Sequence, residues 1–308
     1  MISKVSIPET DLFHVHTYRC QHADEVPDED YVLKALQMGA TGIWFTDHAP
    51  FPGDRFGNRM LYEELDGYIR SVMSLKEKYE DRIHIHLGLE IEYLPEYDRK
   101  GYYDELLNDD RFEVLMLGQH MAEDADNPEI HTFDWDKERL KNEEYKALMG
   151  ALIEGICSGK FNVVAHPDRS FRRCKKWTDE MSNLSETLID KAKEHNMPLE
   201  INMHSLEDKH HFWPEFWEIA KKKDSRIIIG LDAHSPEELE KRRSKSISIT
   251  SRLLGPESIF NVSGSVITVK EDDTYIAKDV RTRVSSQGNT AEEALYNLRI
   301  ALELYYEV

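Results

Sequence analysis

The chain has little cysteine: Cys20, Cys157 and Cys174 are its only three, and no pair has CxxC spacing. That argues against a disulfide framework and against a thiolate zinc site, leaving ordinary reduced thiols. Positive charge is also scarce, with 39 Lys and Arg against 59 Asp and Glu and a formal charge of -20. A long nucleic acid is therefore not the expected partner, because that affinity comes from cations neutralising phosphates; a local basic patch can still hold a small phosphate. No apolar run approaches the roughly 18 residues of a membrane span, so no membrane partner is expected. The opening Met1-Ile2-Ser3-Lys4-Val5 lacks the basic and apolar regions of a secretion signal, which points to the cytoplasm. A GxSxG nucleophile elbow is missing as well.

Histidine is plentiful by contrast, with 14 copies, and it is the commonest metal ligand. At 308 residues the chain has room for one α/β barrel of about 250 residues and a small appendage. Seven short apolar runs read as buried parallel strands, at 12–15, 42–46, 83–89, 114–117, 162–165, 199–202 and 227–231. Helical spacing falls between them at 31–38, 61–79, 145–156, 184–193 and 216–222. Repeated βα alternation implies a parallel sheet, here closed into a barrel.

Nearly every strand ends in a metal-ligand residue: His14 and His16, Asp47-His48, Glu90, His120, His166, and Asp232 with His234. In such barrels the C-terminal strand ends share one mouth, so these side chains should converge there. A lone strand-end histidine is usually hydrogen-bonded structure, but six independent strand ends cannot share that explanation. The HxH spacing puts His14 and His16 on one strand face, where one cation can take both. His84 and His86 repeat that spacing inside a strand, ahead of Glu90, and are set aside. His131, His195, His210 and His211 read as surface residues, whereas His204, just past the sixth strand, is kept as a candidate.

In this order the residues His14, His16, His22, His48, Glu90, His120, His166, Asp232 and His234 resemble the polymerase and histidinol phosphatase (PHP) family over roughly residues 8–255. Thr46-Asp47-His48-Ala49-Pro50 and Gly88-Leu89-Glu90 resemble its histidinol phosphatase branch in particular. The resemblance implies a distorted (β/α)7 barrel holding three divalent ions. His14, His16, Glu90 and Asp232 would hold the first. Glu90 would bridge to a second ion on His120 and His166, and His22, His48 and His234 would hold the third. Mixed imidazole and carboxylate ligands suit zinc, iron or manganese, and not calcium or magnesium. The implied chemistry is hydrolysis of a phosphomonoester by a metal-bridging hydroxide, with Glu90, Asp232 and His120 at its centre. Histidinol phosphate is the favoured substrate. The alternatives are another small phosphorylated metabolite, a short oligonucleotide, or an amide in a metal-dependent amidohydrolase.

Arginine is the residue that reads phosphate in bidentate fashion. Arg169, Arg172 and Arg173, with Lys175 and Lys176, follow His166-Pro167-Asp168, as either a phosphate-binding loop or a solvated basic one. Arg19 and Arg59 are further candidates, and Asp168 or His204 could protonate the leaving group. The sequence departs from the resemblance after the sixth strand, where Ile201-Asn202-Met203-His204-Ser205-Leu206-Glu207 places an acid in the region that carries arginine in histidinol phosphatases; Lys209 or the Arg169 loop could substitute.

Gly255-Pro256 breaks the chain after a last barrel helix over 236–254, which divides it into a barrel at 1–255 and a small α+β domain at 259–308. Strands are expected at 265–269, 274–278 and 281–284, followed by a helix opened by the capping box Thr290-Ala291-Glu292-Glu293. Tyr275-Ile276-Ala277 and the stretch from Gln287 to Leu295 resemble the HicB antitoxin family, with a departure at 279–284. A unit this small has little core of its own, so its expected role is homo-oligomerisation or substrate gating rather than toxin binding. A plain elaboration of the barrel is the remaining alternative.

Overall fold

The computed structural model describes residues 7–8, 10–207, 211–254, 266–271, 274–279 and 284–306. The chain divides into two compact units, 1–7 with 11–239 and 8–10 with 240–308. The division falls inside the helix Pro236–Leu254, before the Gly255-Pro256 break.

In the first unit, strands and helices follow one another: β1 (Leu12–Val15), α1 (Asp28–Gln37), β2 (Gly42–Phe45), α2 (Leu65–Lys78), β3 (His84–Ile91), α3 (Pro95–Arg99), α4 (Tyr102–Leu107), β4 (Val114–Leu117), α5 (Lys137–Ser158), β5 (Val163–Val164), α6 (Asp179–Glu194), β6 (Leu199–Asn202), α7 (Pro214–Lys222) and β7 (Ile227–Gly230), after which α8 (Pro236–Leu254) begins in the first unit and runs on in the second. The seven strands pair in parallel in chain order. Backbone bonds from Leu231 N to Phe13 O (2.8 Å), His16 N to Ala233 O (2.9 Å) and Ala233 N to His14 O (3.1 Å) join the first and last strands. The sheet thus comes round on itself as the (β/α)7 barrel expected, with Phe13, Trp44, Val114, Met116, Val163 and Ala165 packed together as a core cluster.

Amphipathic spacing seats the outer helices. The buried side of α6 is Met181, Ser185, Leu188, Ile189 and Ala192, a helical stripe, and Thr178 caps its start by accepting from Met181 N at 3.2 Å. Asp136 caps α5 by accepting from Glu138 N and Arg139 N, both at 2.9 Å, and Gly159 closes it in the left-handed region at φ 69°. The short helices α3 and α4 were not anticipated. Each is two turns or less, too short for a periodic signal, and Gly101 at φ 81° separates them.

The second unit contains β8 (Val266–Glu271), β9 (Thr274–Asp279), β10 (Ser285–Gly288) and α9 (Ala291–Tyr306). Its antiparallel sheet has the order β10-β9-β8, and Ala277, Ala294, Leu298 and Leu302 form a small core. A third strand lies at Ser285–Gly288, paired from Ser285↔Lys278 to Gly288↔Tyr275; of the strand expected at 281–284, residues 281–283 lie outside the described residues. Thr290 Oγ1 accepts from Glu293 N at 3.1 Å as a cap should, but the Glu293 carboxylate returns to Asn289 N at 2.8 Å, one residue earlier than a capping box requires.

Candidate metal centre

Glu90, near the end of β3, is the hub of the mouth. It is buried, and its two oxygens face different histidines. Oε2 lies 3.3 Å from His14 Nε2, 3.5 Å from His16 Nε2 and 3.1 Å from His48 Nδ1. Oε1 lies 2.7 Å from His166 Nε2 and 3.6 Å from His120 Nε2. Gly118 makes this possible, since a Cβ there would fall 2.0 Å from Glu90 Oε1. Burial pushes the Glu90 carboxyl up, but the surrounding His48, His120, His14 and His166 outweigh it and hold the group well below the usual carboxylate range.

Asp232 adds a second carboxylate, with Oδ1 at 3.3 Å from His16 Nε2 and 3.8 Å from His14 Nε2. On the other side, His22 Nε2 and His234 Nε2 are 2.9 Å apart, and the His22 and His48 ring centroids 5.4 Å apart. Ligand atoms within 4.8 Å of one another include the sets His14, His16 and Asp232; His16, His48 and Glu90; Glu90, His120 and His166; and His22, His48 and His234. The backbone is strained where these side chains are aimed: His14, His166 and Asp232 take φ of 69°, 29° and 51°, a region that L-residues seldom occupy.

The residues fit a cluster of divalent cations. Neither ring nitrogen of the fully buried His16 makes a hydrogen bond within the protein, a costly state for a polar group unless something else binds it. Four other rings are held by Nδ1, which leaves Nε2 facing inward. His22 Nδ1 is 2.6 Å from the Cys20 carbonyl, His234 Nδ1 3.0 Å from the Asp232 carbonyl, His120 Nδ1 3.0 Å from Glu92 and His14 Nδ1 2.6 Å from Glu200. Donation of the second N–H to an oxygen is what fixes the tautomer and orientation of a metal-binding imidazole. Burial lowers His120 and His234 to about 3, which keeps both neutral, the form that coordinates.

His14 behaves differently. Burial lowers its pKa, but the Glu200, Asp232 and Glu90 carboxylates more than offset this and keep it well above the ordinary value. A cation binding at His14 must displace that proton, so affinity is expected to rise with pH. Calorimetric zinc titration at pH 6 and pH 8 should show tighter binding at pH 8; equal affinity would mean that His14 carries no proton to lose.

Glu92 and Glu200 were not singled out in the sequence. Glu92 sits two residues after Glu90 and so on the same strand face, a signal that could have found it. Its oxygens also take Arg59 in a bidentate pair at 2.8 and 3.0 Å. Glu200 is a lone acid inside the buried strand β6. Its Oε2 accepts from His166 N at 3.0 Å and Asn202 Nδ2 at 3.3 Å, and Gly230 leaves it space, since a Cβ there would lie 1.5 Å from Oε1.

A cavity of about 640 Å³ opens over the cluster, lined among others by His22, His48, His120, His204, Asp232 and His234. Of the expected phosphate contacts, Arg169, Arg172 and His204 line it; Arg59 does too, together with the unanticipated Arg55. Two expectations are corrected. Arg19 is 8% exposed and points into Asp28, with Nη1 at 2.9 and 2.8 Å from the carboxylate oxygens, because it fills a charge-paired site beneath the surface. Arg173 turns away to Glu144 at 2.7 Å. Asp168 accepts from Trp213 N at 2.9 Å and Trp217 Nε1 at 3.0 Å and does not line the cavity, so its part is structural. His131, read as a surface residue, is 0% exposed between Phe56 and Phe133. His86 stacks on Trp44 and bonds Glu113 at 2.7 Å, away from the cluster as expected, and His195 is exposed. Glu207 is exposed and does not line the cavity, while Lys209 and His210 lie outside the described residues.

Comparison with known proteins bears on both units. Residues 260–307 match a family of unknown function, which assigns the second unit no role and leaves the HicB likeness an expectation. The histidinol-phosphatase of Bacillus subtilis strain 168 is 25% identical over 249 residues, covering 72% of this chain and 92% of that protein. The crystal structure of histidinol phosphate phosphatase from Lactococcus lactis, complexed with zinc, L-histidinol and phosphate, has a similar fold. Its TM-score is 0.58 at 19% identity, over 77% of this chain and 92% of that one. The PHP domain family matches residues 13–204, most of the barrel and six of its seven strands. The chain belongs to the PHP domain family.

Proposed function

We propose that the chain is a metal-dependent phosphomonoester hydrolase of the histidinol-phosphatase kind, acting on a small phosphorylated metabolite. The observation that carries this reading is the convergence of seven histidines, Glu90 and Asp232 beneath a cavity that four arginines line. Three divalent ions, of zinc, iron or manganese, suit the sets of His14, His16, Glu90 and Asp232, of Glu90, His120 and His166, and of His22, His48 and His234. Such ions would activate a water and offset the charge of the phosphoryl group and leaving alkoxide.

The protein's own part is positioning and charge. Glu90 and Asp232 lower the net charge of the cluster, and Glu92 and Glu200 fix the rings of His120 and His14. Arg172 is set at the phosphoryl side, since its guanidinium donates to the His120 carbonyl at 3.1 Å and to Glu144 at 2.7 Å. Arg169, on the same turn, lines the cavity with its Nε buried and without a hydrogen-bond partner, as is Arg59 Nε, but unlike the other three it is paired with no described carboxylate. Guanidinium donors beside a dianionic ester distinguish this mouth from one built for an amide.

The test is phosphate release by metal-reconstituted protein from histidinol phosphate and a panel of sugar and nucleotide monophosphates, with His120→Ala as the blank. Turnover by the wild-type chain that falls at least a hundredfold in the variant supports the reading. No release from any ester would overturn it.

A further inference from the structure

Four guanidinium groups reach the walls of the cavity, three of them paired with acids outside it and Arg169 with no described carboxylate. Arg169 and Arg172 come from the turn after β5, and Arg55 and Arg59 from the segment between β2 and α2. Asp232 is the one carboxylate among the described lining residues, and it is committed, with Oδ1 toward His16 and Oδ2 accepting from Asn202 at 3.1 Å. The acids that balance the arginines, Glu92, Glu144 and Glu96, do not line the cavity. A leaving group entering this space meets guanidinium and aromatic groups, and no uncommitted carboxylate is there among the described residues to receive an ammonium.

The four arginines are not equivalent. Arg172 is tied to the backbone of His120, and Arg59 is locked in its bidentate pair with Glu92, which also bonds His120. Arg169 pairs with no described carboxylate, and Arg55 is the most exposed of the four. The Arg55 guanidinium stands 3.9 Å from Glu96 and donates to the Glu129 carbonyl, and the side chain is 35% exposed. Asn58 and Phe56 line the cavity beside it.

We infer that the substrate is a phosphomonoester whose leaving group carries a second anion, a carboxylate or another phosphate, and that Arg55 is the residue that selects it. This rests on the phosphatase reading above and narrows it away from histidinol phosphate itself: a leaving group bearing an ammonium, as that amino alcohol does, meets repulsion where an acid meets a charge-assisted hydrogen bond. Arg55 serves as a specificity residue and takes no part in breaking the ester bond.

Binding tests this apart from turnover. The probes are 6-phosphonohexanoate, hexylphosphonate and 6-aminohexylphosphonate, which share a non-hydrolysable phosphonate and differ only in the far group. Calorimetry on the metal-loaded chain should give affinities in that order, with about a tenfold drop at each step. Arg55→Gln should shrink the first step to within about twofold. Preference for the ammonium compound, an unchanged first step in the variant, or no binding of any probe would overturn the proposal. Phosphate release from the ester panel, extended to a phosphorylated hydroxy acid and a sugar bisphosphate, separates the two claims. If the charge order holds but no ester is cleaved, the phosphatase reading alone fails. If esters are cleaved while the charge order is reversed, the inference alone fails.

Discussion

Replacement of Glu90 by alanine should lower phosphate release by about a thousandfold or more, the scale of losing a preorganised charge at a reacting centre. The reason is its position: one oxygen serves His14, His16 and His48 while the other serves His120 and His166. Removing it takes away a carboxylate shared by two sets of histidines at once, so metal content should fall by more than one equivalent if Glu90 is the bridging ligand proposed above. Glu90→Gln keeps the volume and loses the charge, and it should fail nearly as badly if charge is what matters. Elemental analysis alongside the activity assay decides the point. Full metal content with turnover within threefold of wild type would remove Glu90 from the centre.

A second large effect is expected from a residue that would touch no metal. Glu200→Gln should weaken zinc binding by about 10- to 100-fold at pH 8, because Glu200 holds the far nitrogen of His14 at 2.6 Å and anchors the His166 backbone at 3.0 Å. The amide can accept from one of these groups but presents N–H to the other. The same variant should also lose much of the pH dependence of binding, since the Glu200 charge is the largest of those that keep His14 protonated. A variant that was merely unstable would bind weakly without that change in pH profile. Unchanged affinity at both pH values would assign Glu200 to the core alone.

Much of this was legible in the chain because it is local. The seven strands were found within a few residues, since short apolar runs between amphipathic helices have few other uses. Leu12–Val15, Val114–Leu117 and Leu199–Asn202 agree to the residue. The cluster was legible for a related reason. Strand ends in a barrel share one mouth, so a ligand-type residue at each end predicts convergence with no knowledge of distances. The strand at Ser285–Gly288 was not legible because Ser285-Ser286-Gln287-Gly288 carries only weak alternation. Pairing with β9 is what makes it a strand.

The commitments of charged side chains were not legible. Arg19 looked as available as Arg169 until Asp28 was seen to hold it, and Arg55 had no motif to mark it. His131 passed for a surface residue because nothing in its neighbours announces that Phe56, 75 positions earlier, packs against it. Sequence by itself determined the repeating βα order and the residue types at the strand ends, since hydrophobic period and side-chain chemistry belong to the chain. Tertiary structure decided which carboxylate orients which imidazole and which arginine faces the cavity. Those choices depend on partners as far apart as His14 and Glu200, 186 positions away, and on the glycines that leave them room, relations that only folding brings within bonding distance.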